Sequence, residues 1–417
     1  MPTPDTRIAD VRITPIAFRD PPLLNNAGCH QPFALRSIIE VETEGGVVGL
    51  GESYGNPSLR DGVRAVGPRL AGLDVTDING LWAHVAAAVR DGTEGYNTGE
   101  GRLLPRIVSA IEVAMWDALG KSTGHRVCDL LGGQVRATVP FSAYLFYKFA
   151  RHADGTDDEW GEVLTPEQLV EEAHRFREIG GFDAIKLKAG ILPPEEEIAG
   201  LEALREAFPD APLRIDPNGG WRVETTLGLL PRLEGLVEYL EDPTVGIEGN
   251  AEVQAATRLP LATNMYVVLP EHLPGAIAQD AFRVILSDHH YWGGLKAGRD
   301  LARICDIWGL GLSMHSNSHL GISLAAMTHL GAATPNLTHA CDTHYPWQTD
   351  EVVAEGRFAF RDGALAVPDG PGLGVTLDRD ALKRLHRTYL DAGITERDDI
   401  SEMRKHWPDW AFGRPKF

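Results

Sequence analysis

The chain opens on alternating apolar and polar positions. Val11, Ile13 and Ile16 precede the breaker Asp20-Pro21-Pro22, and Ser37 to Thr43 is a β-branched run that turns at Glu44-Gly45-Gly46 into Val47 to Glu52. Alternation of period two around a tight glycine turn predicts a hairpin, and residues 1 to about 60 read as strands. The period then lengthens. Ile107, Val108, Ile111, Ala114, Met115 and Ala118 recur at i, i+3 and i+4, which marks one buried face of a helix, and 60–135 reads as helical.

From about residue 165, helix and strand alternate. Thr165-Pro166-Glu167-Gln168 is a helix start, with Thr as cap, Pro in the first turn and Gln at the capping-box position. Leu169, Ala173 and Phe176 continue one face, Gly180-Gly181 ends it, and Ala184 to Lys188 follows as a strand. Pro194-Glu195-Glu196-Glu197 opens another helix with acids at its positive end, leading to the strand Leu213-Arg214-Ile215-Asp216. Polar residues then end short apolar runs at Lys188, Asp216, Glu241, Asn264, Asp288, His315 and Asp342, at intervals of 28, 25, 23, 24, 27 and 27 residues. A strand plus its return helix needs about that length. Seven such units predict a (β/α) barrel, whose catalytic side chains sit at the C-terminal ends of the strands. A doubly wound sheet would alternate similarly, but the chain has neither the Gly-x-Gly-x-x-Gly turn nor the Gly-x-x-x-x-Gly-Lys-Ser/Thr loop that would hold a nucleotide.

The tail beyond 345 leaves this rhythm. Arg357 to Phe360 and Ala364 to Val367 flank Asp362-Gly363, which reads as a hairpin expected to pack back on the N-terminal layer. Ala150 to Glu162 reads as a solvated loop. The expected α/β organisation is a modified (β/α) TIM barrel at 139–345, with an α+β N-terminal capping domain at 1–138. A C-terminal return segment at 346–417 would complete the cap.

Composition narrows the function. The 417 residues are 43% apolar and 24% charged, with a net charge of −20 from 39 basic and 59 acidic side chains. Such a surface repels nucleic acid and an anionic membrane face. No apolar run reaches the ~20 residues of a spanning helix. The start, Met-Pro-Thr-Pro-Asp-Thr-Arg, lacks a signal peptide's basic and apolar regions. Four scattered cysteines form no Cys-x-x-Cys pair, so a cytoplasmic location is expected.

The strand-end residues carry the chemistry. Asp216, Glu241 and Asn264 are each, taken singly, more often turn residues. Ending three consecutive units, they offer a shared layer of hard oxygen donors that suits Mg²⁺. Lys186 and Lys188 alternate on one strand face and would both point into the barrel, where two ammonium groups need anionic partners. One could neutralise an oxyanion while the other acts as a base. His315 ends another strand, and Asp288 at the preceding strand end could accept its ring N–H, with His289 and His290 as competitors. No His-Glu-x-x-His is present to favour zinc. A carboxylate substrate between the lysines and His315 would meet a base on either face of its α-carbon, an arrangement suited to α-proton abstraction.

These residues resemble the enolase superfamily, and within it the glucarate dehydratase group. The resemblance runs through Lys186-Leu187-Lys188-Ala189-Gly190, Asp216-Pro217-Asn218-Gly219-Gly220-Trp221, Glu241-Asp242-Pro243, Thr263-Asn264-Met265, His315-Ser316-Asn317-Ser318-His319, Asp342-Thr343-His344 and Pro371-Gly372-Leu373-Gly374. It covers essentially the whole chain. It implies Asp216, Glu241 and Asn264 as Mg²⁺ ligands, Lys188 and His315 as opposed bases, and Asp288 as the orienter of His315. Lys186, Asn218 and Asn317 become electrophilic or substrate-orienting groups. Asn25, His30, Tyr144, Phe146, His344, Arg397 and Thr98 become substrate contacts, and a guanidinium such as Arg397 can pair bidentately with a distal carboxylate. The implied activity is Mg²⁺-dependent dehydration of D-glucarate, or of its epimer L-idarate, to 5-dehydro-4-deoxyglucarate. A small acid sugar is the expected partner, and a homo-oligomer the expected assembly. Rival readings are a dehydratase or epimerase of another hexarate or hexonate, a Schiff-base aldolase using a strand-end lysine, and a weakly active or non-enzymatic relative.

Overall fold

The computed structural model describes residues 5–89 and 102–417. Its N-terminal layer is an antiparallel sheet in which Phe33–Thr43 lies between Ile8–Arg19 and Val48–Tyr54. The glycine turn forms as expected: Gly46 donates its N–H to Thr43 O at 2.9 Å, and Thr43 donates to Val47 O at 2.8 Å. The helix Leu103–Thr123 carries the periodic apolar face and lies across this sheet. Its approach is so close that a Cβ on Gly49 would sit 1.9 Å from Ala114 O. Ile39, Val41, Val63, Ile107, Ile111 and Ala114 share one buried cluster there. The helical stretch is not continuous. A 3₁₀ turn at Gly67–Leu70, where Pro68 removes a donor, and a loop separate Pro57–Val66 from Ile78–Ala88.

Seven parallel strands then curl into the barrel sheet, in chain order from Ala143–Phe146 through Ile185–Lys188, Leu213–Asp216, Tyr239–Glu241, Leu261–Thr263 and Val284–Ser287 to Gly311–Met314. Lys188, Asp216, Glu241, Asn264, Asp288 and His315 of the 23-to-28-residue rhythm end these strands or follow them directly, and Asp342 follows the bridge residue Cys341. Residues 340–342 bridge the two edges: Cys341 donates to Pro140 O at 2.8 Å and Asp342 to Met314 O at 2.8 Å, while Cys341 O accepts from Ser142 N. The first strand, Ala143–Phe146, escapes the rhythm because it is buried throughout and ends on an aromatic residue.

The tail follows its sequence reading at the turn, where Arg361 and Ala364 exchange N–H bonds of 2.9 Å across Asp362-Gly363, but not in the strand before it. Arg357 to Phe360 form no strand. Phe360 instead packs between Phe141 and Phe182, at ring separations of 5.5 and 4.9 Å. Ala364–Ala366 pairs antiparallel with Thr138–Pro140, so this turn closes the underside of the barrel. The helix Arg379–Ala392 packs on Ile8–Arg19, where His386 Nδ1 meets Pro15 O at 2.7 Å. The loop Ala150 to Glu162 is largely exposed, but His152 is buried and Asp158 pairs with Lys148 at 2.6 Å.

Glu112 ties the two layers together. Buried on Leu103–Thr123, it accepts N–H bonds from Leu295 (2.8 Å) and Lys296 (2.9 Å) at the start of the helix Leu295–Trp308. Gly294 passes it at φ 109°, where a Cβ would lie 2.2 Å from the carboxylate. Gly294→Ala is therefore expected to cost at least ~1–3 kcal/mol, read as a lower urea midpoint. Burial raises Glu112 to about 7, Glu197 to about 7 and Glu172 to about 8. These folded-state values exceed the unfolded one, so the groups favour folding below pH ~4.5 and lose that contribution as pH rises to ~8. Buried histidines held below the usual imidazole range, His319 and His329 at about 4, work in the opposite sense below pH ~6.5, so thermal scans should show the melting temperature falling between about pH 6.5 and about pH 8.

Candidate active site

A cavity of about 1010 Å³ opens between the capping layer and the C-terminal ends of the barrel strands. Lys188, Asn218, Asn264, His315, Asn317 and His344 line it from the barrel. Asn25 and His30 reach it from the capping layer, and Arg397 from the return segment.

Strand pairing places the acids and lysines. Lys188 is in register with Asp216, and alternation keeps Lys186 and Lys188 on the interior face. Lys186 is wholly buried, with Nζ 2.6 Å from Glu241 Oε2, 2.6 Å from Asp342 Oδ2 and 3.7 Å from Asp216 Oδ2. Burial opposes its charge, but Asp342 and Glu241 outweigh it and hold the ammonium well above the usual lysine range. Lys186 is thus a fixed cation, unsuited to imine formation. Lys188 Nζ, at the cavity wall, lies 2.6 Å from Asp216 Oδ2 and donates to Asn218 Oδ1 at 3.0 Å. Burial would raise Asp216, yet Lys188 and Lys186 pull it below the carboxylate range. Glu241 goes the other way: burial, and then repulsion from Asp216 and Asp342, drive it well above that range in spite of Lys186.

These residues fit a divalent cation. Asp216 and Glu241 are buried carboxylates that share Lys186 Nζ, at 3.7 and 2.6 Å, and Asn264 Nδ2 donates to Glu241 Oε1 at 2.7 Å, so the three side chains converge. The repulsion that raises Glu241 is what a hard cation would relieve. Asp288, His289 and His290 also bring ligand atoms within 4.8 Å of one another. There, however, both His290 ring nitrogens are engaged, Nδ1 at 2.8 Å from Asp288 Oδ1 and Nε2 at 3.0 Å from Arg36 Nη2.

Across the cavity, His315 Nδ1 lies 3.0 Å from Asp288 Oδ2, and its other ring nitrogen is left for the cavity. Burial works against the Asp288 charge, but His290 and His315 hold its carboxyl well below the usual range. His290 does not displace His315; it bonds the other oxygen, Oδ1, at 2.8 Å. Asn317 donates to Tyr54 OH at 2.9 Å. Tyr144, Phe146 and His344 form an aromatic wall, with ring centroids 4.6 to 5.2 Å apart. Burial and the neighbouring histidines keep His344 neutral, well below the usual imidazole range. Arg397 pairs with Asp399 through Nε (2.7 Å) and Nη2 (2.5 Å), leaving Nη1. Asn25 bonds the same Asp399 at 3.1 Å. His30 Nδ1 meets Asp20 Oδ2 at 2.8 Å, and Ser318 donates to both Asp20 oxygens. Thr98 lies outside the described residues.

Residues 15–132 match the mandelate racemase / muconate lactonizing enzyme N-terminal domain, and residues 168–381 the enolase C-terminal domain-like family. The chain belongs to the enolase superfamily. Among its relatives, a probable glucarate dehydratase of Streptomyces coelicolor is 49% identical over 98% of both chains. A solved enolase from Thermobispora bispora, complexed with magnesium and formate, is 51% identical with a TM-score of 0.96, covering 99% of this chain and 100% of that one. Another from Pseudomonas fluorescens, with bound magnesium, potassium and tartrate, is 48% identical with a TM-score of 0.96 over the same shares.

Several site residues of this superfamily member carried no sequence signal for a role. Asp342 kept the strand-end rhythm, but its pairing with Lys186 spans 156 positions. Asp20 reads as part of a breaker, yet it joins His30, Ser318 and Gln348 in one buried node. Arg36 and Tyr54 alternate with core residues on capping strands, and nothing local shows that they reach the barrel.

Proposed function

We propose that this enzyme is a Mg²⁺-dependent acid-sugar dehydratase acting on D-glucarate, with L-idarate as the epimeric substrate. One observation carries the reading: a His315–Asp288 pair and Lys188 border one cavity, next to the converging side chains of Asp216, Glu241 and Asn264. The 49% identity to a probable glucarate dehydratase, and the magnesium and small carboxylates bound in solved relatives, support it.

Asp216, Glu241 and Asn264 would hold the cation. When bound, Mg²⁺ supplies Lewis acidity to the substrate carboxylate. His315 takes the C5 proton of D-glucarate, and the Asp288 carboxylate balances the resulting imidazolium. Lys188 takes the proton from the opposite configuration. Lys186, held protonated by its acids, faces the negative charge that develops as the ene-diolate forms. His315 then returns its proton to the departing β-hydroxyl, which leaves as water, and the enol tautomerises to 5-dehydro-4-deoxyglucarate. Arg397, Asn25 and His30 contact the distal carboxylate, while Tyr144, Phe146 and His344 restrict the chain's path. A cytoplasmic location and a homo-oligomeric assembly belong to the same reading.

The test is a dehydration assay over hexarates and hexonates, with Mg²⁺ and with chelator. D-Glucarate should turn over with Mg²⁺ and stop on chelation, with activity restored by adding the ion back. Turnover insensitive to chelator, or trapping by borohydride, would overturn the proposal. Turnover well below ~1 s⁻¹ would assign the chain to a weakly active relative.

A further inference from the structure

A buried polar chain runs from the capping sheet to the proposed base. Glu52 accepts N–H bonds from Leu320 (2.8 Å) and Ser323 (2.9 Å) and pairs with Arg36 Nε at 3.1 Å. Arg36 Nη2 lies 3.0 Å from His290 Nε2, His290 Nδ1 lies 2.8 Å from Asp288 Oδ1, and Asp288 Oδ2 lies 3.0 Å from His315 Nδ1. Arg36, Glu52, His290 and Asp288 are each at most 4% exposed.

Donor and acceptor rules fix the protons along this chain. A guanidinium can only donate, so His290 Nε2 must carry a lone pair, and the hydrogen must sit on Nδ1, facing Asp288. A second proton on His290 would set N–H against N–H. We propose that Arg36, braced by Glu52, is a positioning residue for proton transfer: it locks His290 as the neutral Nδ1–H donor, so that Asp288 keeps its whole negative charge for His315. The proposal rests on the reading of His315 as the base. It makes the barrel's chemistry depend on a side chain from the capping sheet, 254 positions away from His290.

The groups around His290 are consistent with this. Asp288 and His289 flank it on its own segment, and Ser323 Oγ approaches Nε2 at 3.2 Å from the helix Gly321–Ala333. Tyr54 packs edge-on at 5.3 Å, with Arg106 over the Tyr54 ring, and His319 lies nearby in the loop before that helix. Of the charged groups here besides Asp288, Arg36 is the one with an atom on a His290 ring nitrogen, and Glu52 is its partner, whereas Arg106 stacks on Tyr54. Without Arg36, the positive charge balancing Glu52 moves inward onto His290, against Asp288. The His315 imidazolium must then share its carboxylate with a second cation.

The first test uses the unaltered protein labelled with ¹⁵N-histidine. His290 should show a protonated Nδ1 and a bare Nε2 from about pH 5 to about pH 8. A protonated Nε2, or titration of His290 in that range, overturns the proposal without reference to activity. The second compares Arg36→Met with Arg36→Lys. Arg36→Met should lower kcat on D-glucarate about tenfold or more at little-changed KM and move the acidic limb of kcat/KM to lower pH. Arg36→Lys should restore most of both. If His315→Asn abolishes turnover while folded Arg36→Met keeps the parent pH profile, the base stands and this inference fails. If His315→Asn stays active, the reading beneath it fails.

Discussion

His315→Asn is expected to lower kcat on D-glucarate by about 10²–10⁴-fold, the range for loss of a positioned acid–base group. KM should change little, because the aromatic wall of Tyr144, Phe146 and His344, the Asn25 and Arg397 contacts and the acid–amide cluster all remain. The loss should be this large because the histidine is assigned both proton steps, removal from C5 and delivery to the departing hydroxyl. Asn preserves a polar group against Asp288 but can move no proton, so the fold should tolerate it. Steady-state kinetics, with circular dichroism as a control, checks the expectation.

The second large effect concerns stability as well as activity. Lys186→Met removes the ammonium that lies between Glu241 and Asp342, both fully buried. Breaking a buried pair from one side costs ~3–5 kcal/mol, because the remaining charges have lost their counter-ion. Here Asp342 loses its partner at 2.6 Å, Glu241 loses the cation that opposes its upward shift, and Asp216 loses a neighbour 3.7 Å away. The urea midpoint should fall sharply without Mg²⁺ and recover in part when the ion is added, since a bound cation would take over the lost charge. Dehydration should stay low even with Mg²⁺, because the charge facing the ene-diolate is gone. An unchanged midpoint in metal-free buffer would show that these acids are not held by Lys186.

What the sequence revealed depended on the range of each interaction. The Lys-x-Lys alternation, the capping box at Thr165 and Gln168 and the glycine turn at 44–46 are local patterns, and each formed as read. The barrel was legible because its return helices keep the strand ends at near-even spacing. Asp288 and His315 stand 27 positions apart but end adjacent strands, so their pairing could be anticipated. The first barrel strand was hidden because nothing polar ends Ala143–Phe146. The tail was legible only at its turn: Asp362-Gly363 does reverse the chain, with Arg361 bridged to Ala364, but the pairing stops there because Ala364–Ala366 pairs with Thr138–Pro140 and Phe360 is drawn into an aromatic cluster. Links such as Arg36 to His290, or Asp20 to Ser318, join segments hundreds of residues apart and leave no periodic trace.

Two opposed bases about a single α-carbon are the heart of this account, and proton exchange with heavy water reads each one separately. Each epimer is incubated in deuterium oxide with Mg²⁺ and with either His315→Asn or Lys188→Ala, and label at the carbon next to the carboxylate is followed by NMR. The expected result is reciprocal: His315→Asn still labels L-idarate but not D-glucarate, and Lys188→Ala does the reverse. Loss of label from both epimers in one variant only, or full D-glucarate dehydration by His315→Asn, would contradict it.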